Sequence, residues 1–403
     1  MKKILALVLV VVMCIGCFGV LTACNKSEIK VGLICLHDEN STYDNNFIQA
    51  FKAACEAKGL TKKDYAIVTD IPEGTECYNE AVNLAEKGAK AIFADSFGHE
   101  SHMIKAAKEY TNVSFCHATG TSAHVEKLPN FYNAFAAIYE GRYLAGVAAG
   151  MKLMEMYGKN GVVSDTNAII GYVGAFTYAE VVSGYTSFLL GVQSIVPNAT
   201  MKVKFTGSWY DQTEEANAAQ ALIDAGCKLI SQHADSMGAP STCETAGIPN
   251  VSYNGSTEAS CPDTFIVSSK INWQPYFEMM IDNALNGTAI TQDYVGTIAD
   301  GSVQLTALGA TAAEGTATKL EEVKAKLADG SLKVFDLSKF TVGGQPLADN
   351  FMADVDTDAA YTADTVVIKT TSAGVKYFAE SEFRSAPYFS VNIDGIELLN
   401  TKF

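Results

Sequence analysis

The sequence Val31-Gly-Leu-Ile-Cys-Leu36 is a short apolar run without a polar face, which predicts a strand that is buried on both sides. Residues 47–58 follow it with apolar side chains three or four positions apart, and Gly59 ends this pattern as it would end a helix. A buried strand followed by such a helix is the repeating unit of a parallel sheet with helices on both faces. This unit predicts an α/β fold.

The same alternation continues through most of the chain, and it yields more strands than one sheet of ordinary width holds. The length of 403 residues also exceeds the size at which a single core stops growing. We therefore predict two doubly wound parallel-sheet lobes. The predicted strands are 65–69, 90–94, 113–117, 169–173, 201–206, 228–232, 250–253 and 264–268, and the predicted helices are 75–87, 100–110, 134–157, 179–194, 212–225, 236–246 and 274–286.

The segments that follow the predicted strands are rich in Asp, His, Ser, Asn and Gly, and they also contain Phe97, Trp209 and Tyr210. In open α/β sheets, ligands bind beyond the carboxyl ends of the strands. Polar groups and flat rings collected there indicate a cleft for a small, partly aromatic ligand. We interpret Trp209 as a ring that stacks on this ligand, with ordinary packing as the alternative.

The first 23 residues predict a secretory signal peptide, because Lys2 and Lys3 precede an uncharged stretch from Ile4 to Ala23. Leu21-Thr-Ala-Cys24 ends this stretch and matches the bacterial lipobox. We therefore predict lipidation at Cys24 and anchoring to the extracytoplasmic face of the cell membrane. A retained transmembrane helix is the alternative.

Acidic residues outnumber basic residues 45 to 29, which gives a formal charge of −16 at pH 7. A surface of this sign repels phosphate backbones, so we expect no binding of nucleic acids. The sequence also lacks the glycine-rich loops of dinucleotide and nucleoside-triphosphate sites and the G-x-S-x-G elbow of α/β-hydrolases. His99 and His102 have no third ligand nearby, and nothing fixes the separation of Asp211 and Asp235. We expect no metal, no cofactor and no catalytic residue.

Nine segments, in order along residues 29–345, resemble the basic membrane protein family of substrate-binding lipoproteins. This family serves ATP-driven importers and includes purine nucleoside receptors. The resemblance implies a type I periplasmic-binding-protein fold, in which three hinge crossings join two lobes that close on a ligand. The segments are Ile71-Pro-Glu-Gly-Thr75, Ile92-Phe-Ala-Asp-Ser-Phe-Gly98, Phe115-Cys-His-Ala-Thr-Gly120, Tyr139-Glu-Gly-Arg-Tyr-Leu-Ala-Gly146, Gly171-Tyr-Val-Gly174, Ser208-Trp-Tyr-Asp211, Ala221-Leu-Ile-Asp-Ala-Gly226, Gln232-His-Ala-Asp-Ser236 and Asn272-Trp-Gln-Pro-Tyr276.

The resemblance also implies a purine ligand and its contacts. In the nucleoside-binding branch, a loop similar to Asp44-Asn-Asn-Phe47 supplies one ring to the base, and the position of Trp209 supplies the other. An acidic residue at the position of Asn254 contacts the ribose, and a lysine follows in a segment similar to Ser268-Ser269-Lys270. Asn254 is neutral here and Lys270 is displaced by one position, whereas the motifs around Phe97, Trp209 and His233 are more similar to the branch that binds adenine or related bases. The predicted ligand-binding residues are Asp44, Phe47, Ser96, Phe97, Trp209, His233, Asp235, Asn254, Lys270 and Trp273.

In this interpretation, Phe47 and Trp209 sandwich the ring, and Phe97 and Trp273 shape the walls. We predict a receptor that captures a purine base or nucleoside and delivers it to the permease and ATPase subunits of an ABC importer. The alternatives are a sensory lipoprotein that signals to a membrane partner, or a nucleoside hydrolase or phosphorylase. The predicted division is a signal peptide (1–23), an anchor and tether (24–29), an N-terminal lobe (30–133 and 256–290), a C-terminal lobe (134–255 and 291–345) and a β appendage (346–403).

Overall fold

Two large sheets form the frame of the protein, whose computed structural model describes residues 29–355 and 364–403. The predicted signal peptide and Cys24 lie outside the described residues, so lipidation stays a prediction. Within the described ranges, no helix combines the length and the apolar composition that crossing a membrane requires.

The first sheet is parallel throughout and has the strand order β11-β5-β4-β3-β1-β2. Helices connect its strands, as the alternation in the sequence predicts. The strands are β1 (Val31–Ile34), β2 (Tyr65–Val68), β3 (Ala91–Ala94), β4 (Ser114–Ala118), β5 (Phe131–Ala136) and β11 (Asp293–Gly296), and the helices are Thr42–Ala57, Thr75–Glu86, Glu100–Glu109, Ala123–Glu126 and Gln274–Asn286.

The second sheet has the order β12-β10-β9-β8-β6-β7-β17, and only β12 runs antiparallel to its described neighbour. Its strands are β6 (Ile169–Gly174), β7 (Thr200–Phe205), β8 (Ile230–Gln232), β9 (Asn250–Tyr253), β10 (Phe265–Ile271), β12 (Val303–Leu305) and β17 (Ile396–Leu398), and its helices are Ile138–Tyr157, Ala179–Gln193, Gln212–Asp224, Gly238–Ala246 and Thr316–Ala328.

The chain crosses between the sheets three times, after β5, after β10 and after β11. These crossings correct the predicted lobe boundaries. Strand β10 falls in the segment 256–290 predicted for the N-terminal lobe, but it pairs with β9 in the second sheet. Strand β11 falls in the segment predicted for the C-terminal lobe, but it pairs with β5 in the first sheet. Strand β10 is buried and hydrogen-bonds to β9, so it belongs to the second sheet. The chain therefore crosses to the first lobe after β10 and not before it.

A second correction concerns the helix predicted at 134–157. The helix begins at Ile138, because Phe131–Ala136 forms a buried strand between β4 and β11. The chain then enters the helix directly after this strand. The first crossing between the sheets therefore lies at Ala137.

The tail after residue 345 contains short strands, as predicted, and four of them form two small two-stranded sheets, whereas a fifth joins the second large sheet. Two antiparallel pairs, β13 (Met352–Ala353) with β14 (Thr365–Val366) and β15 (Ile368–Thr370) with β16 (Lys376–Phe378), precede β17. Strand β17 then pairs with β7 and extends the second sheet. The ring of Phe389 stacks on Phe335 at a centroid separation of 4.3 Å. The tail is therefore an integral part of the second lobe.

Candidate ligand-binding cleft

A cavity of about 370 Å³ lies between the two lobes, beside the carboxyl ends of strands from both sheets. The position is the one that the strand-end rule predicts for a ligand. The first lobe contributes Leu36, His37, Tyr43, Asp44, Ser96, Phe97 and Thr119, and the second lobe contributes Glu180, Trp209, His233, Asp235 and Tyr253.

Most of the residues predicted to bind the ligand lie on this wall, and their contact with a ligand stays a prediction. They come from loops that are far apart in the sequence, and the fold brings them together. The predicted residues on the wall are Asp44, Ser96, Phe97, Trp209, His233 and Asp235.

Phe47 and Trp273 lie in the core instead. Their residues are 0% and 1% exposed, and their rings stack on each other at a centroid separation of 4.4 Å. Tyr43 precedes Phe47 by one helical turn, lies on the same face of helix Thr42–Ala57 and lines the cavity. Tyr43, and not Phe47, is therefore the ring of this helix that lines the cavity, together with Phe97 from another loop of the first lobe, which corrects the predicted sandwich of Phe47 and Trp209. Trp273 therefore packs against Phe47 in the core and does not line the cavity.

Asn254 and Lys270, the residues at the family's ribose positions, do not line the cavity. Asn254 is buried with a φ of 62°, and its Nδ2 has no hydrogen-bond partner among the residues that the structure describes. Lys270 is half-buried in β10, where it pairs with Gln304 of β12. A role of these two residues in contacting a sugar stays a prediction.

The sequence prediction missed several residues of the wall. His37, Tyr43 and Thr119 lie in segments that follow strands, so the strand-end rule contains the signal that would have found them. Thr119 also has a φ of 62°, which is strained for a β-branched residue and is a conformation found at binding sites. Tyr253 ends strand β9, and Glu180 lies in the first turn of helix Ala179–Gln193; neither carries a comparable signal.

Buried Arg142 fixes the tautomer of His233. Its Nη2 lies 3.1 Å from His233 Nδ1, its Nη1 donates to the carbonyl of Gln232 at 2.9 Å, and its guanidinium carbon lies 3.3 Å from the ring centroid of Tyr253. A guanidinium only donates, so Nδ1 of His233 accepts and the proton resides on Nε2. This Nε2 lies 3.4 Å from Glu180 Oε1. Burial and then the charge of Arg142 lower the pKa of His233, which is therefore neutral.

Asp235 is buried beside Trp209, to whose carbonyl its backbone N–H donates at 3.0 Å. Burial, followed by the nearby carboxylates of Asp44 and Glu215, raises the pKa of Asp235 well above its ordinary value. Its Oδ1 has no partner within the described part of the chain. A protonated carboxyl offers one donor next to one acceptor. In its protonated form, Asp235 would present a donor next to an acceptor, an arrangement that the edge of a heterocycle can match.

Asp44 and Ser96 offer acceptors on the opposite wall. Burial alone would raise the pKa of Asp44, but hydrogen bonds from His37 and Ser41 outweigh it and hold this pKa below its ordinary value. Asp44 is therefore ionised. The hydroxyl of Ser96 donates to Glu73 at 2.6 Å, which leaves only its lone pairs for a ligand.

Contacts between the lobes show that the cleft is closed. The backbone N–H and the hydroxyl of Thr42, on the first lobe, donate to the carbonyl of Asp235 on the second at 3.0 and 3.2 Å. The rings of Phe97 and Tyr178 meet across the cleft at 5.2 Å. These contacts exist only when the two lobes come together.

Glu215 joins the two loops that carry Trp209 and Asp235, because it accepts backbone hydrogen bonds from Asp211 and Ser236 at 3.1 Å. Burial raises the pKa of Glu215 to about 7 despite these bonds. The folded state therefore holds this proton more tightly than the unfolded chain, so stability is full below the unfolded pKa of about 4.3 and is lost as the pH rises through 7.

We expect Glu215→Gln to reduce the loss of stability between pH 6 and pH 8 by about 1 kcal/mol, because the amide does not titrate. Urea unfolding at the two pH values measures this change. Glu214→Gln is the matched control, since Glu214 is the exposed neighbour on the same helix. This variant should lose as much stability between pH 6 and pH 8 as the wild type. If Glu215→Gln lost as much stability between pH 6 and pH 8 as the wild type, the prediction would be contradicted. Burial also raises the pKa values of Glu140 and Glu380 to about 7. These two residues contribute the same pH dependence of stability in the wild type and in both variants, so they do not affect the comparison.

Comparisons with known proteins agree with this architecture. The family of PnrA-like ABC transporter substrate-binding proteins matches residues 40–338. A purine-binding protein of Brucella abortus is 32% identical over 314 residues, which cover 77% of this chain and 84% of that protein. A protein of Haloferax volcanii, named as a candidate ABC transporter glucose-binding protein, is 29% identical over 256 residues, which cover 64% of this chain and 61% of that protein.

Among solved structures, an ABC transporter solute-binding protein from Conexibacter woesei superposes with a TM-score of 0.61 at 20% identity, covering 76% of this chain and 98% of that one. This confirms the predicted two-lobed, type I periplasmic-binding-protein fold. The family match spans most of the chain, including both sheets and the loops that line the cleft. The chain therefore belongs to the family of PnrA-like ABC transporter substrate-binding proteins.

Proposed function

We propose that this protein is an extracytoplasmic receptor, anchored through Cys24, that closes on a purine base or nucleoside and delivers it to an ABC importer. The observation that carries the proposal is the cavity itself, in which Trp209 and Tyr43 come from opposite lobes and Oδ1 of Asp235 has no hydrogen-bond partner among the residues that the structure describes. The similarity to a protein named as purine-binding, over 77% of this chain, supports the same ligand class.

The indole of Trp209 is suited to stack on a heterocycle because other rings support it. Phe176 lies 5.0 Å from it in an edge-to-face arrangement, and Tyr178 lies 6.0 Å away. A ring held in this way loses little conformational freedom when a ligand stacks on it. Such a contact contributes about 1–3 kcal/mol per base.

The polar groups on the wall match the edge of a purine, which alternates hydrogen-bond donors and acceptors. Asp235 supplies a donor and an acceptor side by side, whereas Asp44 and Ser96 supply acceptors for N–H groups. Closure excludes water from these contacts, which strengthens them. The closed arrangement, held by Thr42 and Asp235, is also the shape that a permease distinguishes from the open one. No bond of the ligand needs to break.

Asp235 offers a test of the protonated carboxyl. We expect Asp235→Ala to weaken purine binding about tenfold, because a buried ligand group loses its partner. Asp235→Asn should lose clearly less purine affinity than Asp235→Ala, since an amide keeps one donor and one acceptor in nearly the same shape. Titration calorimetry of both variants measures the difference. Equal losses in the two variants would mean that the ionised form binds the ligand.

The proposed function is tested by calorimetry of the processed chain with adenine, hypoxanthine, adenosine, inosine and guanosine. We expect at least one purine to bind with micromolar to nanomolar affinity, which corresponds to about −8 to −12 kcal/mol. Glucose belongs in the same series because of the relative from Haloferax volcanii. Binding of glucose together with no detectable binding of any purine would overturn the purine assignment. Release of free base from adenosine would instead favour a hydrolase.

A further inference from the structure

The loop that carries Trp209 follows strand β7, and the tail holds the end of this strand. Strand β17 pairs in parallel with β7. Beyond β17, the side chain of Asn400 takes the place of a further strand residue, because it accepts from the backbone N–H of Phe205 at 2.8 Å and donates to the carbonyl of Phe205 at 2.9 Å. The tail therefore reaches the start of the Trp209 loop with residues that lie beyond the region 40–338 of the family match.

Phe403 places its ring against this loop at Gly207. Gly207 has a φ of 77°, in the left-handed region that favours glycine. A Cβ atom at position 207 would lie 2.6 Å from the ring of Phe403, so a side chain there would displace the ring. Glycine at this position therefore permits both the turn of the loop and its contact with the tail.

A series of ring contacts connects Phe403 with the cleft. Phe403 meets Phe176 edge-to-face at a centroid separation of 5.7 Å, and Phe176 meets Trp209 in the same way at 5.0 Å. Phe176 also stacks on Tyr178 at 5.2 Å, and Tyr178 meets Phe97 of the first lobe. Phe176 therefore supports both the indole and the aromatic contact across the cleft, and Phe403 packs against Phe176.

The core does not enclose these rings, so their neighbours decide how well they are ordered. Phe176 and Trp209 are only half-buried, and Phe403 is 61% exposed. A side chain that moves freely before a ligand binds has to be ordered during binding, which reduces affinity. A ring that orders Phe176 beforehand therefore increases the affinity of the site, although it adds little buried surface to the fold.

We propose that Phe403 is a positioning residue of the ligand site, which holds Phe176 against Trp209 and keeps the indole in the orientation that receives the ring of the ligand. Phe403 does not line the cavity, so it acts through Phe176. The proposal rests on the proposed function and adds that the tail sets the affinity of the cleft.

Phe403→Ala should weaken the binding of the tightest-binding purine by about three- to tenfold, the change expected when one more side chain must be ordered by the ligand. Phe403→Tyr keeps a ring at this position and should bind like the wild type. Leu399→Ala is the matched control, because Leu399 is an exposed apolar residue of the same part of the tail whose contact with Val203 is made by its backbone N–H. Titration calorimetry measures all three. Unchanged affinity in Phe403→Ala, or an equal loss in Leu399→Ala, would overturn the proposal.

The fluorescence of Trp209 tests the same proposal without a ligand. The chain contains two tryptophans, so Trp209 is the only one in a Trp273→Phe background. In this background, Phe403→Ala should increase the quenching of the emission by acrylamide, because a less ordered indole is more accessible, and Phe403→Tyr should not. A loss of affinity with unchanged quenching would refute the role assigned to Phe403. Absence of purine binding in the wild type would refute the proposed function, whereas the quenching experiment decides the positioning of Trp209 independently.

Discussion

Replacing Trp209 by alanine is expected to weaken the binding of a purine by about 5- to 150-fold, the range that corresponds to a loss of 1–3 kcal/mol of stacking. The indole lines the cavity opposite Tyr43, and the rings of Phe176 and Tyr178 support it. Its loss removes a prealigned surface for the heterocycle and opens the closed cleft to water. Titration calorimetry with the tightest-binding purine measures the effect.

Trp209→Phe is the control for this experiment, because it keeps a ring on the same backbone and should lose less affinity than Trp209→Ala. The indole is only partly buried, so we expect little change in thermal stability in either variant. Unchanged purine affinity in a folded Trp209→Ala protein would remove the central contact of the proposed function.

The fold was predictable from the sequence because its strands are continuous apolar runs between helices with clear ends. Their boundaries, such as those of β9 and of helix Gln274–Asn286, depend on local signals that the chain shows directly. The crossings between the lobes depend on pairing partners. A buried strand such as β10 has the same sequence pattern in either sheet, so its lobe is decided by packing against β9 and not by its own residues.

The candidate site was only partly predictable, for a related reason. The strand-end rule identifies the loops, but it does not say which side of a helix faces the cavity. Tyr43 and Phe47 illustrate this, because one helical turn separates a residue of the wall from one in the core. Arg142 reaches His233 through tertiary packing from a buried helix, and the segment 139–146, although it resembles the family, does not by itself indicate this contact.

The placement of Trp273 in the core leads to the largest stability effect that we expect. Its indole packs among Phe47, Phe93, Phe135 and Phe277, with centroid separations of 4.4 to 6.4 Å. Trp273→Ala should lower the free energy of unfolding by about 3–5 kcal/mol, since it removes a fully buried ring and leaves a cavity that these neighbours fill only in part. Denaturant unfolding of the ligand-free protein measures the loss.

Trp273→Phe separates the two possible roles of this residue, because it keeps enough of the packing for the protein to fold. If Trp273 is a core residue that does not line the cavity, Trp273→Phe should lower stability but leave purine affinity within about threefold of the wild type. A threefold change in affinity corresponds to less than about 1 kcal/mol. If Trp273 instead contacts the ligand, Trp273→Phe should lose about as much purine affinity as Trp209→Phe. A loss of that size in folded Trp273→Phe would mean that Phe47 and Trp273 separate in the open protein and that their rings, not Tyr43, receive the purine.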